Sequence, residues 1–362
     1  MGFACGLVGL PNAGKSTLFN ALTGAHARVE SYPFCTIDAN AGVVAVPDER
    51  LDRLSQLFPE KKRVPTKIQF TDVAGLVEHA SAGEGMGNQF LAEIRGVDAL
   101  LHVVRCFEDD DVAHVTGRIN PLRDIEIVET ELLLKDLETL QRLLKRLQQE
   151  TKGSDRRAPA RLEAWEGLLE SLAAGVPLRM VDIPQIVQPL VREACPLTIK
   201  PILYVANVSD DGSPELSDIV LHHAEERNTP AVCIRARLEA EVIEAGESPE
   251  ERLSFLHQYG VARTALDHLV QAGVELLDLV TFYTLEGPEV RAWTIPRGTF
   301  APEAGAVIHT DFADRFVLAE VFSLEQLLDA GSERALREAG HVRRAGREYP
   351  IADGDIVHFI CA

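Results

Sequence analysis

Residues Gly9 to Thr17 read GLPNAGKST, and this stretch narrows what the chain can fold into more than any other. Gly9 and Gly14, followed at once by Lys15 and Ser16, form the P-loop pattern G-x-x-x-x-G-K-S. Such a loop works only where a strand ends and a helix begins. The glycines allow a tight turn whose N–H groups point inward at an anion, and the helix that follows aims its positive end at the same place. Both flanks are present. The apolar run Ala4, Cys5, Leu7, Val8 predicts a strand, and Leu18, Phe19 and Leu22 predict an amphipathic helix over Ser16 to Thr23. Asn12, Ala13, Gly14, Lys15, Ser16 and Thr17 are the expected phosphate-binding residues. Lys15 is expected to reach the β- and γ-phosphates, and Ser16 to bind Mg²⁺.

Further strands are predicted at Gly42–Val46, Lys67–Asp72, Ala99–Cys106, Pro201–Asn207 and Ala231–Ile234. Helical stretches separate most of them, so the fold class is α/β with a doubly wound, mostly parallel sheet. The gap from Cys106 to Pro201 is too long for one crossover. Within it Leu133, Leu137, Leu140, Leu144 and Leu147 step by four and three, a coiled-coil seam, and Leu162, Trp165, Leu169 and Leu172 line a second helix. Gly153-Ser154 separates the two, which predicts an inserted antiparallel hairpin. From about Thr281 onward, VRAWTIPRGTFAPEAG and YPIADGDIVHFICA alternate as short strands with turns, the pattern of a small separate domain. The expected division is 1–123 with 199–277, then 124–198, then 278–362.

Length and composition agree. The 362 residues suffice for two or three domains, and 46% hydrophobic with 25% charged residues describes an ordinary globular chain. No apolar run approaches a membrane span. Met1-Gly2 begins like a myristoylation signal, but Gly6 stands where that signal needs Ser or Thr. The cysteines at 5, 35, 106, 195, 233 and 361 form no C-x-x-C pair, so reduced, mostly buried thiols and a cytoplasmic setting are expected. A net charge of −20 argues against indiscriminate nucleic-acid binding, and no DNA partner is expected. One local exception stands out. Arg142, Lys145, Arg146, Lys152, Arg156 and Arg157 at the hairpin tip outnumber Glu150 and Asp155, six against two. That is either a solvated helix face or a basic arm for RNA or a ribosomal surface.

A P-loop alone does not separate kinases, ATPases and GTPases. Asp72-Val73-Ala74-Gly75 ends a predicted strand, where Asp72 can hold Mg²⁺ through water and the Gly75 N–H can face the γ-phosphate. Thr36, in YPFCTID, is placed to close over Mg²⁺ as a first switch does. Gly83, Gly85 and Gly87 predict a second switch that orders with nucleotide state. No Arg-rich lid or acceptor pocket of a small-molecule kinase is evident.

Taken together, GLPNAGKST, YPFCTI, DVAGL, GEGMGNQFL, HVVRCFEDD, EVRAWTIPRG and IHTDF resemble the YchF family of Obg-related P-loop proteins, over essentially the whole chain. The resemblance implies a G domain, an inserted helical hairpin and a C-terminal α+β TGS (ubiquitin-like) domain. It also implies association with ribosomes or related RNA-protein machinery. On that picture the hairpin and the TGS face, with Arg343, Arg344 and Arg347, form an RNA-sized groove.

Guanine-reading sites carry N-K-x-D after a strand. Here the stretch is Asn207-Val208-Ser209-Asp210. The family resemblance, with Val in place of Lys, implies ATP or dual ATP and GTP use. Asp210, where the family has Glu, restores the guanine-reading acid. Asn207 is expected at the adenine amino group, Val208 on the ring face and the Ala236 N–H at the base edge. After D-x-x-G the water-orienting Gln is replaced by Leu76, which cannot hold a water. Three candidates for its work stay open. His114 is favoured by the resemblance, His79 is near in sequence, and K⁺ coordinated by Asn12 is implied by likeness to G proteins that lack the Gln. Turnover is expected to be slow without a partner.

Overall fold

The computed structural model describes residues 3–26, 40–73, 93–109, 112–114, 117–150, 157–210, 214–246, 251–252, 254–255 and 264–362. The chain divides into two compact units. Among the described residues, one draws on Phe3–Gly42 with Gln69–Leu269, and the other on Val43–Ile68 and Val270–Ala362.

One sheet is built of strands β1 (Phe3–Val8), β2 (Ala41–Ala45), β4 (Lys67–Asp72), β5 (Ala99–Cys106), β6 (Ile202–Val208) and β7 (Ala231–Ile234); β3 (Lys62–Val64) belongs to another sheet. Their order is β2-β4-β1-β5-β6-β7, and β1-β5, β5-β6 and β6-β7 pair in parallel. All eight residues of β5 are buried, which requires cover on both faces of the sheet. β1 shows how the cover is shared. Ala4 and Val8 join a core with Leu100, Val104, Ile125, Val128 and Val220, while Cys5 and Leu7 are buried on the other face. Helices Pro121–Glu150 and Pro214–Glu226 supply the first core. Helix Lys15–His26, with Leu18 and Leu22 fully buried, packs along helix Ala236–Ala245. The doubly wound sheet expected from the sequence is what forms.

The predicted hairpin is helix Pro121–Glu150 and helix Ala158–Ala173. At 1.5 Å per residue the first is about 45 Å long. Leu140, Leu147, Trp165, Leu168 and Leu172 make its core, and Trp165 Nε1 donates to the Leu140 carbonyl at 3.1 Å. Leu168 takes the central place that the spacing had assigned to Leu169, which is only partly buried. Two acids, one buried and one half-buried, fix the first helix to its surroundings. Asp136 accepts from the Leu197 and Thr198 N–H groups, both at 2.7 Å, and from the Thr198 hydroxyl at 2.6 Å. Glu129 accepts from Arg179 at 2.6 Å and from the Tyr204 hydroxyl at 2.7 Å.

The second unit is a six-stranded sheet with β8 (Leu279–Thr284), β9 (Glu289–Pro296), β10 (Phe316–Phe322), β11 (Arg343–Ala345) and β12 (Ile356–Cys361). Its order is β11-β10-β12-β8-β9-β3. Helix Ala301–Ile308 covers Phe282, Ala319 and Phe359 on one face. Helices Glu49–Leu57 and Leu324–Ala330 cover Tyr283, Val290 and Ile356 on the other. Trp293 lies in β9, and Gly354, at φ +90°, makes the turn before β12, both as expected. The segment from helix Glu49–Leu57 to β3 differs from expectation. The sequence division places it with 1–123, yet β3 pairs parallel with β9, and Leu51 and Leu54 pack beside Tyr283. The reason is physical. β3 is three residues long with Lys62 and Arg63 exposed, so it carries no alternating pattern, and its partner lies more than two hundred residues away.

Cys5 and Cys106 are buried, and burial pushes both thiols up to about 12. Cys195 and Cys233 are exposed, so the expectation of mostly buried thiols holds for two of these four; Cys35 lies outside the described residues. Among the described residues no helix is long and apolar enough to cross a membrane.

Candidate nucleotide-binding site

The loop between β1 and helix Lys15–His26 is shaped by what lies under it. Gly9 has φ +152°, and a Cβ there would sit 2.3 Å from the Val103 carbonyl oxygen of β5. Gly14 has φ +95°, and its Cβ would meet Asn207 Nδ2 at 2.1 Å. Both positions require glycine for backbone conformation and for close approach. Asn12 also takes a positive φ, 63°, which asparagine tolerates better than most residues. Lys15 is buried. Its Nζ donates to the Gly9 carbonyl at 3.1 Å and the Leu10 carbonyl at 2.9 Å, so the ammonium is held inside the loop curve.

Ser16 Oγ donates to Asp72 Oδ2 at 2.7 Å. These residues are 56 apart in the chain, and the end of β4 beside the start of the helix brings them together. Two oxygen donors adjoining a helix N-terminus suit a hard divalent cation such as Mg²⁺. Of the other expected phosphate and metal residues, Ala13 is buried in the loop and Thr17 is exposed, while Thr36 and Gly75 lie outside the described residues, as does His79.

The expected base-contact residues have a different arrangement. Asn207, at the end of β6, is buried. Its Nδ2 donates to the Ala13 carbonyl at 3.0 Å, and its Oδ1 accepts from the Ala236 N–H at 3.1 Å. The amide thus joins the P-loop to the start of helix Ala236–Ala245. The Ala236 N–H, expected at the base edge, is occupied by Asn207. Val208 is partly buried against the core of Val8, Val104 and Ala206. Asp210 is exposed, and its charge acts on Arg237 of the neighbouring helix.

Asn12 Nδ2 donates to the Ala113 carbonyl at 3.0 Å, so the P-loop holds the segment that carries His114. Arg105, almost fully buried at the end of β5, reaches the same carbonyl at 3.5 Å. It also donates to the carbonyls of Phe107 and Asp109. Burial lowers its pKa, and Asp109 and Asp124 counter that. His114 Nε2 lies 2.9 Å from Asp124 Oδ2, with both side chains buried. Arg105 and Asp124 escaped the sequence reading. An arginine inside an otherwise apolar strand, HVVRC, was the available signal for the first, and an acid in the first turn after Pro121 was a faint one for the second.

The comparisons with known proteins bear on all of this. Residues 4–146 match a family model described as a 50S ribosome-binding GTPase. Residues 279–361 match the model of the YchF GTPase C-terminal region, described as a protein of unknown function. A protein of Pasteurella multocida named "Ribosome-binding ATPase YchF" is 45% identical over 99% of both chains, and one of that name from Bacillus subtilis is likewise 45% identical over 99% of both. The solved structure of the Schizosaccharomyces pombe YchF GTPase is 34% identical and superposes with a TM-score of 0.87, covering 99% of this chain and 97% of that one. On full-length identity and on fold, the chain belongs to the YchF family.

Proposed function

We propose that this chain is a nucleotide-dependent switch that binds and slowly hydrolyses ATP and associates with the ribosome in the cytoplasm. The observation that carries the reading is the Ser16–Asp72 contact at 2.7 Å beside the buried Lys15, a phosphate cradle with an acid at its mouth. Val208, where a guanine site has Lys, supports ATP, and so do the names of the full-length relatives.

Ser16, with Thr36 and with Asp72 through water, would hold Mg²⁺, which neutralises charge on the β- and γ-phosphate oxygens when bound. Lys15 binds the same phosphates, and helix Lys15–His26 directs its positive end at them. Hydrolysis is in-line. A water oxygen bonds to the γ-phosphorus, and the bridging P–O bond breaks with its electron pair leaving on the nucleoside diphosphate. His114 takes the water proton and returns it to the released phosphate. His79 is the alternative base, and K⁺ near Asn12 is an alternative source of charge stabilisation. The hairpin 124–198 and the C-terminal domain 278–362 present the surfaces that meet the ribosome.

Equilibrium binding of ATP and GTP, with Mg²⁺ and with K⁺ or Na⁺ in turn, on the native chain and on Asp210→Glu, tests the nucleotide assignment. ATP binding at least ~10-fold tighter, about 1.4 kcal/mol, is expected. GTP binding tighter to the native chain, reversed by Asp210→Glu, would make Asp210 the reader of the base and overturn it. Leu76 favours a second reading, a regulatory binder whose hydrolysis is incidental. Co-sedimentation with ribosomes in the ATP and ADP states separates the two, because a switch must bind its partner differently in its two states.

A further inference from the structure

We infer that Asp124 is the positioning residue for His114: it fixes which ring nitrogen carries the proton and stabilises the imidazolium formed when the other nitrogen takes a proton from water. This rests on the reading of His114 as the base. The geometry has three parts. Asp124 Oδ2 lies 2.9 Å from His114 Nε2, and the side chains are 4% and 7% exposed, so solvent does not compete for the contact. A carboxylate accepting Nε2–H leaves the lone pair on Nδ1, the nitrogen that must receive the proton. Among the described residues the second carboxylate oxygen, Oδ1, is buried and has no hydrogen-bond partner, so the acid's strong contact is directed at the ring.

The two residues ride on differently anchored pieces of chain. Asp124 belongs to the first turn of helix Pro121–Glu150. There its own N–H donates to the Asn120 carbonyl at 3.0 Å, and the Arg123 N–H donates to Asn120 Oδ1 at 3.2 Å. His114 follows Ala113, whose carbonyl is gripped by Asn12 of the P-loop and by Arg105. The histidine is therefore tethered to the phosphate loop at its backbone and to the hairpin helix at its ring. Among the described residues, the charged and titratable groups that face Asp124 are His114 from the loop, Arg123 from its own helix, and Arg105 and Cys106 from the end of β5. Burial raises the Asp124 pKa, while His114, Arg123 and Arg105 pull it back toward the ionised form. The arrangement is that of an orienting acid behind a general base, as in a Ser-His-Asp triad, with water in place of the serine.

The experiment is single-turnover hydrolysis of ATP across pH 5.5–9 by the full chain and by Asp124→Asn, Asp124→Glu, His114→Ala and His114→Ala/Asp124→Asn, with nucleotide Kd and thermal melting on each. Asp124→Asn is expected to lower the rate by about ten-fold or more with Kd within about two-fold. Its pH–rate profile should change shape, because the acceptor that fixes the ring tautomer is gone. Asp124→Glu, which keeps an acceptor but displaces it, should keep the native shape of the profile while the rate still falls. In the His114→Ala background Asp124→Asn should change nothing further. A rise in rate with Asp124→Asn would make the contact a restraint and overturn the inference. So would an unchanged pH–rate profile with lowered melting alone, the mark of a structural role. A His114→Ala enzyme as fast as the native one would instead remove the reading of His114, and this inference with it.

Discussion

Asn207 ties Ala13 to Ala236: one amide donates to the P-loop carbonyl at 3.0 Å and accepts from the helix N–H at 3.1 Å, and both contacts are buried. Replacing it by alanine leaves a buried carbonyl and a buried N–H without partners, at about 1–3 kcal/mol each. Asn207→Ala should therefore weaken ATP and GTP alike, by about ten-fold or more, and lower the melting temperature. A base-reading residue would instead change the ratio of the two affinities. Titration of both nucleotides against the variant checks this, and loss confined to one nucleotide would refute the scaffold role.

Glu239 makes the nucleotide unit sensitive to pH. Its carboxyl is buried and accepts from the Ala265 N–H at 2.7 Å. Burial pushes its pKa up to about 7, and Asp267 adds to the rise. The unfolded chain loses this proton near pH 4.5, whereas the folded chain keeps it until about 7. The folded state thus binds more protons across that window, and stability falls as pH rises through it. Glu239→Gln keeps an acceptor for Ala265 and removes the ionisation. It should gain on the order of 2 kcal/mol relative to the native chain at pH 8 and little at pH 4.5. Urea melts at the two pH values are the measurement, and an equal difference at both would rule the explanation out.

Local features were the legible ones. β4, β5 and β7 occupy the predicted ranges Lys67–Asp72, Ala99–Cys106 and Ala231–Ile234, because apolar runs there end at turn residues. The hairpin seam was legible because Leu140 and Leu147 repeat with the helix period. The P-loop carried its own geometry in Gly9 and Gly14. Contacts between the ends of distant strands were not legible. Asn207 meets Ala13 across 194 positions, and only the parallel order of β1, β5 and β6 puts them side by side. Its residue type predicted a hydrogen-bonding role but not which groups it would bond. His114 was found through family resemblance, yet its partner was hidden. In DDDVAHVTGRINPLRD four nearby acids are equal candidates, and the start of helix Pro121–Glu150 selects Asp124.

His358 gives the C-terminal unit the same direction of pH dependence at higher pH. On β12 its ring faces Phe322, with Glu286 Oε1 at 3.4 Å and Glu333 Oε2 at 3.1 Å. Burial lowers its proton affinity, but the two carboxylates outweigh that and raise the pKa to about 9. A histidine with a raised folded pKa contributes stability that is fully present below about 6.5 and is lost as pH climbs through 9. His358→Gln should cost on the order of 1–2 kcal/mol at pH 6, with the difference from the native chain shrinking toward pH 9.5. Thermal melts at these two values decide it. A constant difference would mean that packing against Phe322, not charge, is what the histidine provides.

Ribosome association offers a prediction in which the choice of residue matters. Not every basic residue singled out for RNA contact is available for it. Arg146 is paired with Glu193 at 2.9 Å. Arg347 donates to the carbonyls of Phe316 and Ala313 and lies over the Phe316 ring, and Arg343 lies over Tyr349. Reversing Arg343 or Arg347 would damage the C-terminal sheet as well as any interface, and weaker binding would then have two causes. Arg142 and Lys145 are exposed on the outer part of helix Pro121–Glu150, clear of the Leu140, Leu147 and Trp165 core. Arg142→Glu with Lys145→Glu should leave melting within about 0.5 kcal/mol of native. It should also weaken ribosome co-sedimentation by about ten-fold at low salt, and flatten its dependence on salt, because two phosphate contacts are lost. Unchanged binding by a normally folded double variant would move the interface off this face of the hairpin.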